Sequence, residues 1–315
     1  MNVADHAMIT TIHNQSALLL QLLACLVAQT LKPAQWIIVD NGSDPVEAGQ
    51  LQIDLRTCQT ALPGVAIELI RQNHHESLSH ARNAALARVQ HERVSLLDPD
   101  SSYRPGFLER MQNIAKKYQP DMVILGYALP GLLTPEPRLA TIQQLATPLE
   151  PGLYLLRDPL SLIGASDFPI RLGANICYRT AFLHDLRYDE SLDCFEEIDL
   201  WYRALRGGMA RGPCRCMLES GDFLQLARRP DMVLPGPAGD LRRPPPPMLT
   251  ALANSIDTHD RRMGDLLLRR WIPGMLQRIP GIASKLFFLW HHRRILPRFL
   301  ALRHGAPATR SKRLH

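Results

Sequence analysis

Hydrophobic positions recur along the first 130 residues as short runs separated by stretches with helical spacing. Residues 7–12 read as a strand. Behind Ser16, the expected N-cap, Leu18, Leu19, Leu22, Leu23, Leu26 and Val27 fall on one helical stripe. Residues 36–39 form a second strand that ends in the turn Asp40-Asn41-Gly42-Ser43. The pattern continues with a strand over 65–70, a helix over 79–89, a strand over 94–97 that ends at Asp98, a helix over 106–118 and a strand over 122–125. This alternation predicts an α/β fold, a mostly parallel sheet with helices on both faces. Such sheets bind ligands beyond the carboxyl ends of their strands, where Asp40 and Asp98 both fall.

Farther along, the pattern changes character. Residues 131–152 are rich in Pro, Gly and Thr and read as a loop over the sheet, and a second structured block follows from 153 to about 226. Residues 229–248 hold Pro230, Pro235, Pro237 and the run 244–247, which neither helix nor central strand accommodates. Residues 249–304 regain helical periodicity with many basic side chains, and the tail 305–315 reads as disordered.

The 315 residues carry a formal charge of +6 and are 46% hydrophobic, which provides a core and suits anionic partners. Cys25, Cys58, Cys177, Cys194, Cys214 and Cys216 are scattered without small-scaffold spacing, as in a reduced, cytoplasmic protein. The first ten residues lack a signal-peptide pattern, and no apolar run reaches membrane-spanning length. Cys214 and Cys216 with Cys194 and His184 do not have zinc-motif spacing, and a strand of small apolar side chains is preferred there. The basic residues of the C-terminal block lack a base-stacking platform, so nucleic acid is not an expected partner.

Four segments carry candidate chemistry. Asp98-Pro99-Asp100 places two carboxylates one residue apart behind a buried strand, either as a plain turn or as oxygen ligands for a hard cation. Asp40 is a turn closer or an acceptor for a nucleobase N–H. Arg82 and Asn83 are expected in the first turn of a helix, where an anionic or polar ligand is favoured unless the arginine is simply solvated. Glu196, Glu197 and Asp199 crowd at a helix start, either for the helix dipole or as a base of raised pKa. Gly173-Ala174-Asn175 suggests close backbone approach to a ligand.

In order and spacing these segments resemble the family 2 glycosyltransferases of the GT-A fold, over about residues 8–208. The resemblance rests on Thr11-Ile12-His13-Asn14, on Leu26-Val27-Ala28-Gln29-Thr30 followed by 36–44, and on 79–86, similar to the family's "ARNAG" helix. It continues through Asp98-Pro99-Asp100, 173–179, Tyr188-Asp189-Glu190 and 196–203. It implies a Rossmann-like catalytic domain over 1–228, with a nucleotide-binding half over about 1–130 and an acceptor-side half over about 153–228. A Pro-rich linker over 229–248 and a basic helical C-terminal extension over 249–304 complete the expected chain.

The implied activity is an inverting, hexosyltransferase-like transfer from a nucleotide-diphosphate sugar, with a UDP-sugar favoured, to a glycan or lipid-linked hydroxyl acceptor in cell-surface glycan synthesis. The resemblance gives Mn2+ or Mg2+ to Asp98 and Asp100, and the nucleotide sugar to Thr11, His13, Asn14, Asp40, Ser43, Arg82, Asp98, Pro99, Asp100 and Asn175. Glu197 stands at the family's base position, with Glu196 and Asp199 as alternatives because the usual Glu-Asp pair is Glu-Glu here. Many relatives carry a histidine about twenty residues later that is absent here, and Arg215 or a lid residue is the expected substitute. These two departures also admit a catalytically degraded binding module in a glycan assembly complex. The C-terminal residues Lys285, His291, His292, Arg293, Arg294 and Arg298, beside aromatic and aliphatic side chains, either cap the catalytic domain or contact an anionic membrane on its cytoplasmic face.

Overall fold

β1 (Val3–Ile12) is buried on both faces along most of its length, and this makes it the middle of the structure. In the computed structural model its flanking strands are β2 (Lys32–Asp40) and β4 (Arg93–Leu96), both parallel to it, and β3 (Ala66–Arg71) extends the parallel set beyond β2. Alternate side chains feed two cores. Ile9, Ile37 and Val39 pack with Ala81 and Ala85 of α3 (Leu78–Leu86), and with Trp201. Met8, Trp36 and Ile38 pack on Leu19 and Leu22 of α1 (Ala17–Val27) and on Phe107 and Met111 of α4 (Phe107–Tyr118). Burying each such large side chain contributes roughly 1.5–3 kcal/mol. One buried polar pair ties β2 to β1: the Trp36 indole N–H donates to the Thr10 hydroxyl at 3.0 Å.

The structure describes residues 3–128, 146–157, 159, 176–183, 186–190, 196–197, 200–201, 203–205 and 214–225. Asn175, Asp199, the expected linker, the basic C-terminal region and the tail lie outside the described residues. The sheet continues from β4 through β9 (Ile176–Arg179), β6 (Met122–Ala128), β10 (Cys216–Gln225) and β8 (Leu153–Leu156) to β7 (Ala146–Glu150). The short β5 (Ser102–Tyr103) pairs antiparallel with β10. Strands β5, β8 and β9 run against the other described strands, so the sheet is mixed and mostly parallel.

Four local expectations are corrected. Helix α2 (Pro45–Ala61) was not predicted, because its inward face, Ala48, Leu51, Asp54 and Cys58, is too mixed to give an apolar stripe. Its start was written in the sequence: Asp44 caps the N–H groups of Val46 and Glu47, and Pro45 opens the first turn. Ser16 precedes α1 as expected but has helical dihedrals and makes no side-chain cap; its own N–H donates to Glu47 Oε2 at 2.9 Å. Residues 146–150, expected as loop, form β7 because β8 offers an antiparallel edge. Finally, α3 is capped by Ser77, whose hydroxyl accepts the His80 N–H at 3.2 Å. That moves Arg82 and Asn83 from the first turn into the second, where backbone N–H groups are already used.

Candidate functional site

The strand order 3-2-1-4 puts the reversal of chain direction across the sheet between β1 and β4, so the loops after β1, β2 and β4 converge there. At the β1–β2 side those loops are knitted by side chain to backbone bonds. The buried Asp40 carboxylate accepts the Ser43 N–H at 2.9 Å and lies 3.8 Å from Arg71 Nε. Asn14, with a left-handed φ of 51°, donates its N–H to Ser43 Oγ at 2.9 Å and accepts the Asp44 N–H at 2.9 Å. Asn41 bridges to the β3–α3 loop, accepting the Glu76 N–H at 3.1 Å and donating to the Glu76 carbonyl at 3.0 Å.

Two imidazoles complete this end. His13 and His75 lie with ring centroids 4.0 Å apart, and both Nδ1–H groups donate to the Asn41 carbonyl, at 3.0 and 3.2 Å. Gly42 has a φ of 71°, and a Cβ there would stand 2.1 Å from the His74 carbonyl carbon, so the close approach of the two loops requires glycine. Sequence reasoning named His13 but missed His74, His75 and Glu76; the adjacent histidines directly after an expected strand end were the available signal. Thr11 is half-buried near the end of β1.

The second cluster is ionic and is assembled from distant segments. Arg82 is 3% exposed. Its Nη1 lies 2.7 Å from Glu196 Oε1 and 2.6 Å from Glu197 Oε1, and its Nη2 lies 3.8 Å from Asp98 Oδ1. The guanidinium also stands 5.4 Å from the centre of the Tyr188 ring. Burial opposes its charge, but Glu197, Tyr188, Asp98 and Glu196 outweigh burial and hold its pKa above the ordinary arginine value. Burial and the neighbouring Glu197 push the Glu196 carboxyl up to about 7, against the pull of Arg82. Of the three acids expected to crowd, Glu196 and Glu197 share the Arg82 guanidinium, with Glu196 the enclosed member and the Glu197 side chain 18% exposed. Arg82, expected beside a nucleobase, directs its guanidinium onto carboxylates.

Asp98, Pro99 and Asp100 follow β4, and the Leu97 N–H donates to the Ile9 carbonyl at 2.7 Å, so the segment leaves the sheet beside β1. The Ser101 N–H closes the turn on the Asp98 carbonyl at 3.0 Å. Pro99 is buried while both acids are part-exposed. Two carboxylates in this setting can ligate a hard divalent cation and leave coordination positions to a ligand's oxygens. Among the described residues no cluster of three or more acid, His or Cys side chains stands ready as a complete metal cage.

Arg215 does not reach this end. Its backbone pairs with Asp121 at the amino end of β6, so its place is the opposite edge of the sheet from Asp98. The chain instead returns toward Asp98 through the far end of β10, where Gln225 pairs with Ser102. Cys214 and Cys216 begin that strand, and all the described cysteines are free thiols. Among the described residues no helix is long and apolar enough to cross a membrane.

The family model described as "Glycosyl transferase family 2" matches residues 8–170. No curated protein sequence matches. Among solved structures, S. aureus TarS 1-349 in complex with UDP-GlcNAc is 15% identical, with a TM-score of 0.56 over 97% of this chain and 93% of that one. GalNAc-T7 with UDP, GalNAc and Mn2+ is 14% identical, with a TM-score of 0.57 over 95% of this chain and 58% of that one. At such identities the likeness speaks for the fold, and the mixed sheet flanked by helices is the GT-A arrangement expected from the sequence.

Proposed function

The chain belongs to glycosyl transferase family 2 and is a glycosyltransferase; we propose that it moves a sugar from a nucleotide-diphosphate donor to a hydroxyl acceptor, with inversion, in cell-surface glycan synthesis. The observation that carries this reading is Arg82, one buried cation within reach of Glu196, Glu197 and Asp98. It joins the proposed acceptor-activating acids to the proposed donor-binding acids.

The nucleotide occupies the β1–β2 end. Asp40, Ser43, Thr11, His13 and Asn14 receive its base and ribose, and the diphosphate lies toward Asp98, Pro99 and Asp100. A UDP-sugar is the favoured donor, because the TarS and GalNAc-T7 structures were solved with UDP-GlcNAc and UDP. Asp98 and Asp100 would hold Mn2+ or Mg2+, for which their oxygens are suited, and the ion when bound neutralises charge on the leaving diphosphate.

Glu197 is the proposed base, since it is the more exposed of the pair and its Oε1 lies 2.6 Å from Arg82 Nη1. It accepts the acceptor's hydroxyl proton as that oxygen attacks the anomeric carbon from the side opposite the diphosphate. Glu196, buried and drawn toward its neutral form, limits charge repulsion behind it. Asn175 is proposed to contact the nucleotide sugar, and Glu196 and Asp199 are the alternative bases. The acceptor is a glycan or a lipid-linked sugar, and the basic C-terminal region supplies peripheral contact with an anionic cytoplasmic membrane face.

The test is UDP release from a panel of UDP-sugars with Mn2+, with and without glycan acceptors, on wild type, Glu197→Gln and Asp100→Ala. Glu197→Gln lowers kcat by about 10²–10⁴-fold with donor affinity retained. Asp100→Ala weakens Mn2+-dependent UDP binding in calorimetry. A wild-type chain that binds no nucleotide diphosphate with Mn2+ sinks the proposal. Binding without turnover across the panel replaces it with the non-catalytic module.

A further inference from the structure

Asn83, the neighbour of Arg82 on α3, spends its whole side-chain amide on one short segment. Its Oδ1 accepts the Tyr188 N–H at 2.9 Å, and its Nδ2 donates to the Tyr188 carbonyl at 3.0 Å and to Glu190 Oε1 at 2.8 Å. A primary amide that grips both the N–H and the C=O of one residue imitates the pairing of a neighbouring strand. Neither aspartate, with no donor, nor alanine can reproduce it.

What the clamp holds is the ring beneath Arg82. Tyr188 is 3% exposed, and among the described residues its hydroxyl has no hydrogen-bond partner, so the clamp on its backbone is what those residues supply to place the ring. The same segment is gripped from the other side by Arg203, whose Nη2 donates to the Arg187 carbonyl at 2.7 Å. Arg203, like Glu196 and Glu197, is a helical residue, seven and six positions after them. Residues 186–190 thus lie between α3 and the segment of the proposed base, tied to each.

We propose that Asn83 is a positioning residue: by clamping Tyr188 it sets the height of the Arg82 guanidinium beneath Glu197, and so the geometry of proton abstraction. The inference rests on the reading of Glu197 as base. The outer part of the clamp opens onto a pocket of about 400 Å³ lined by His80, Asn83, Arg187 and Glu190, where His80 Nδ1 meets Glu190 at 2.9 Å. His80→Ala removes this outer contact alone and serves as the control.

Two measurements on the full chain test the proposal. The first is steady-state hydrolysis of UDP-GlcNAc with Mn2+. Asn83→Ala and Asn83→Asp lower kcat at least tenfold with KM for UDP-GlcNAc within twofold, and His80→Ala stays at wild-type rates. In a Tyr188→Leu background, Asn83→Ala has no further effect on kcat, because both act through one ring. Additive effects, or an equal rise of KM, overturn the proposal.

The second is amide hydrogen exchange over 186–190, which needs no donor. Protection at Tyr188 is lost in Asn83→Ala and kept in His80→Ala; equal protection in wild type and Asn83→Ala overturns the clamp. Absence of turnover in the wild type counts against the functional reading, and shows before any variant is made.

Discussion

The loops at Asp40 and the cluster at Arg82 stand a few strands apart and are held by opposite means. The Asp40 end uses mostly short-range links between neighbouring loops, with Asn14, Asn41, Ser43, His13 and His75 bonded to backbone at 2.9 to 3.2 Å. Its strength is spread over many neutral bonds, each worth about 1 kcal/mol net. The Arg82 cluster concentrates its cohesion in a single buried cation whose partner Glu196 lies 114 positions away. Losing one partner there leaves charge uncompensated in a low dielectric. On the proposed function, the donor-binding end has distributed support, whereas the proposed base has one strong neighbour.

The sharpest way to break this contrast is Arg82→Leu. It leaves Glu196 and Glu197 without their cation, and the expected loss is ~3–5 kcal/mol of stability in urea unfolding. A loss below about 1 kcal/mol would mean that the cluster is as distributed as the other end. Next is Gly42→Ala, which forces a Cβ against His74 at a left-handed φ and should cost about 1–3 kcal/mol. Calorimetry with UDP and Mn2+ should show weakened binding in the same variant.

The smallest effect is a slope. Glu196 is raised to about 7 in the folded chain, so the native state keeps a proton that the unfolded chain releases above its ordinary value. Its stabilising share is full below about pH 4.5 and is lost as pH rises to about 7. Urea midpoints across that window should fall less in Glu196→Gln than in wild type. Parallel curves would remove the coupling from the comparison.

These two ends also differ in how far the chain announces them. The strands of the first 130 residues, the turn at Asp40 and the place of Asp98 were legible because each depends on local periodicity and turn chemistry. Helix α2 was hidden by the mixed face of Ala48, Leu51, Asp54 and Cys58, although Asp44-Pro45 marked its start. Strand β7 was hidden because its partner β8, rather than its own composition, makes it a strand. For Arg82, the presence of a charge was legible and its direction was not. The helix starts at Leu78 behind the Ser77 cap, which puts Arg82 beyond the first turn, and its carboxylates come from segments that no local pattern connects to it. Arg215 was misjudged for a related reason: the parallel pairing of β10 with β6 decides which end of the sheet it occupies.

The separation between Arg82 and Glu196 also has a consequence for the chain as it is made. The ladders β1–β2, β2–β3 and β1–β4 need no residue beyond 96, although β4 later takes β9 on its other edge, so the Asp40 half can assemble while the rest is still on the ribosome. Arg82 emerges with that half, and its principal carboxylates follow 114 residues later. At 5–20 residues per second that delay is about 6 to 23 seconds. Asp98, 3.8 Å from the guanidinium in the folded chain, is the partner made early, sixteen residues after Arg82. The order of synthesis therefore makes the ionic cluster a late step of the domain, after the Asp40 half and ahead of β10, which completes the sheet between β6 and β8.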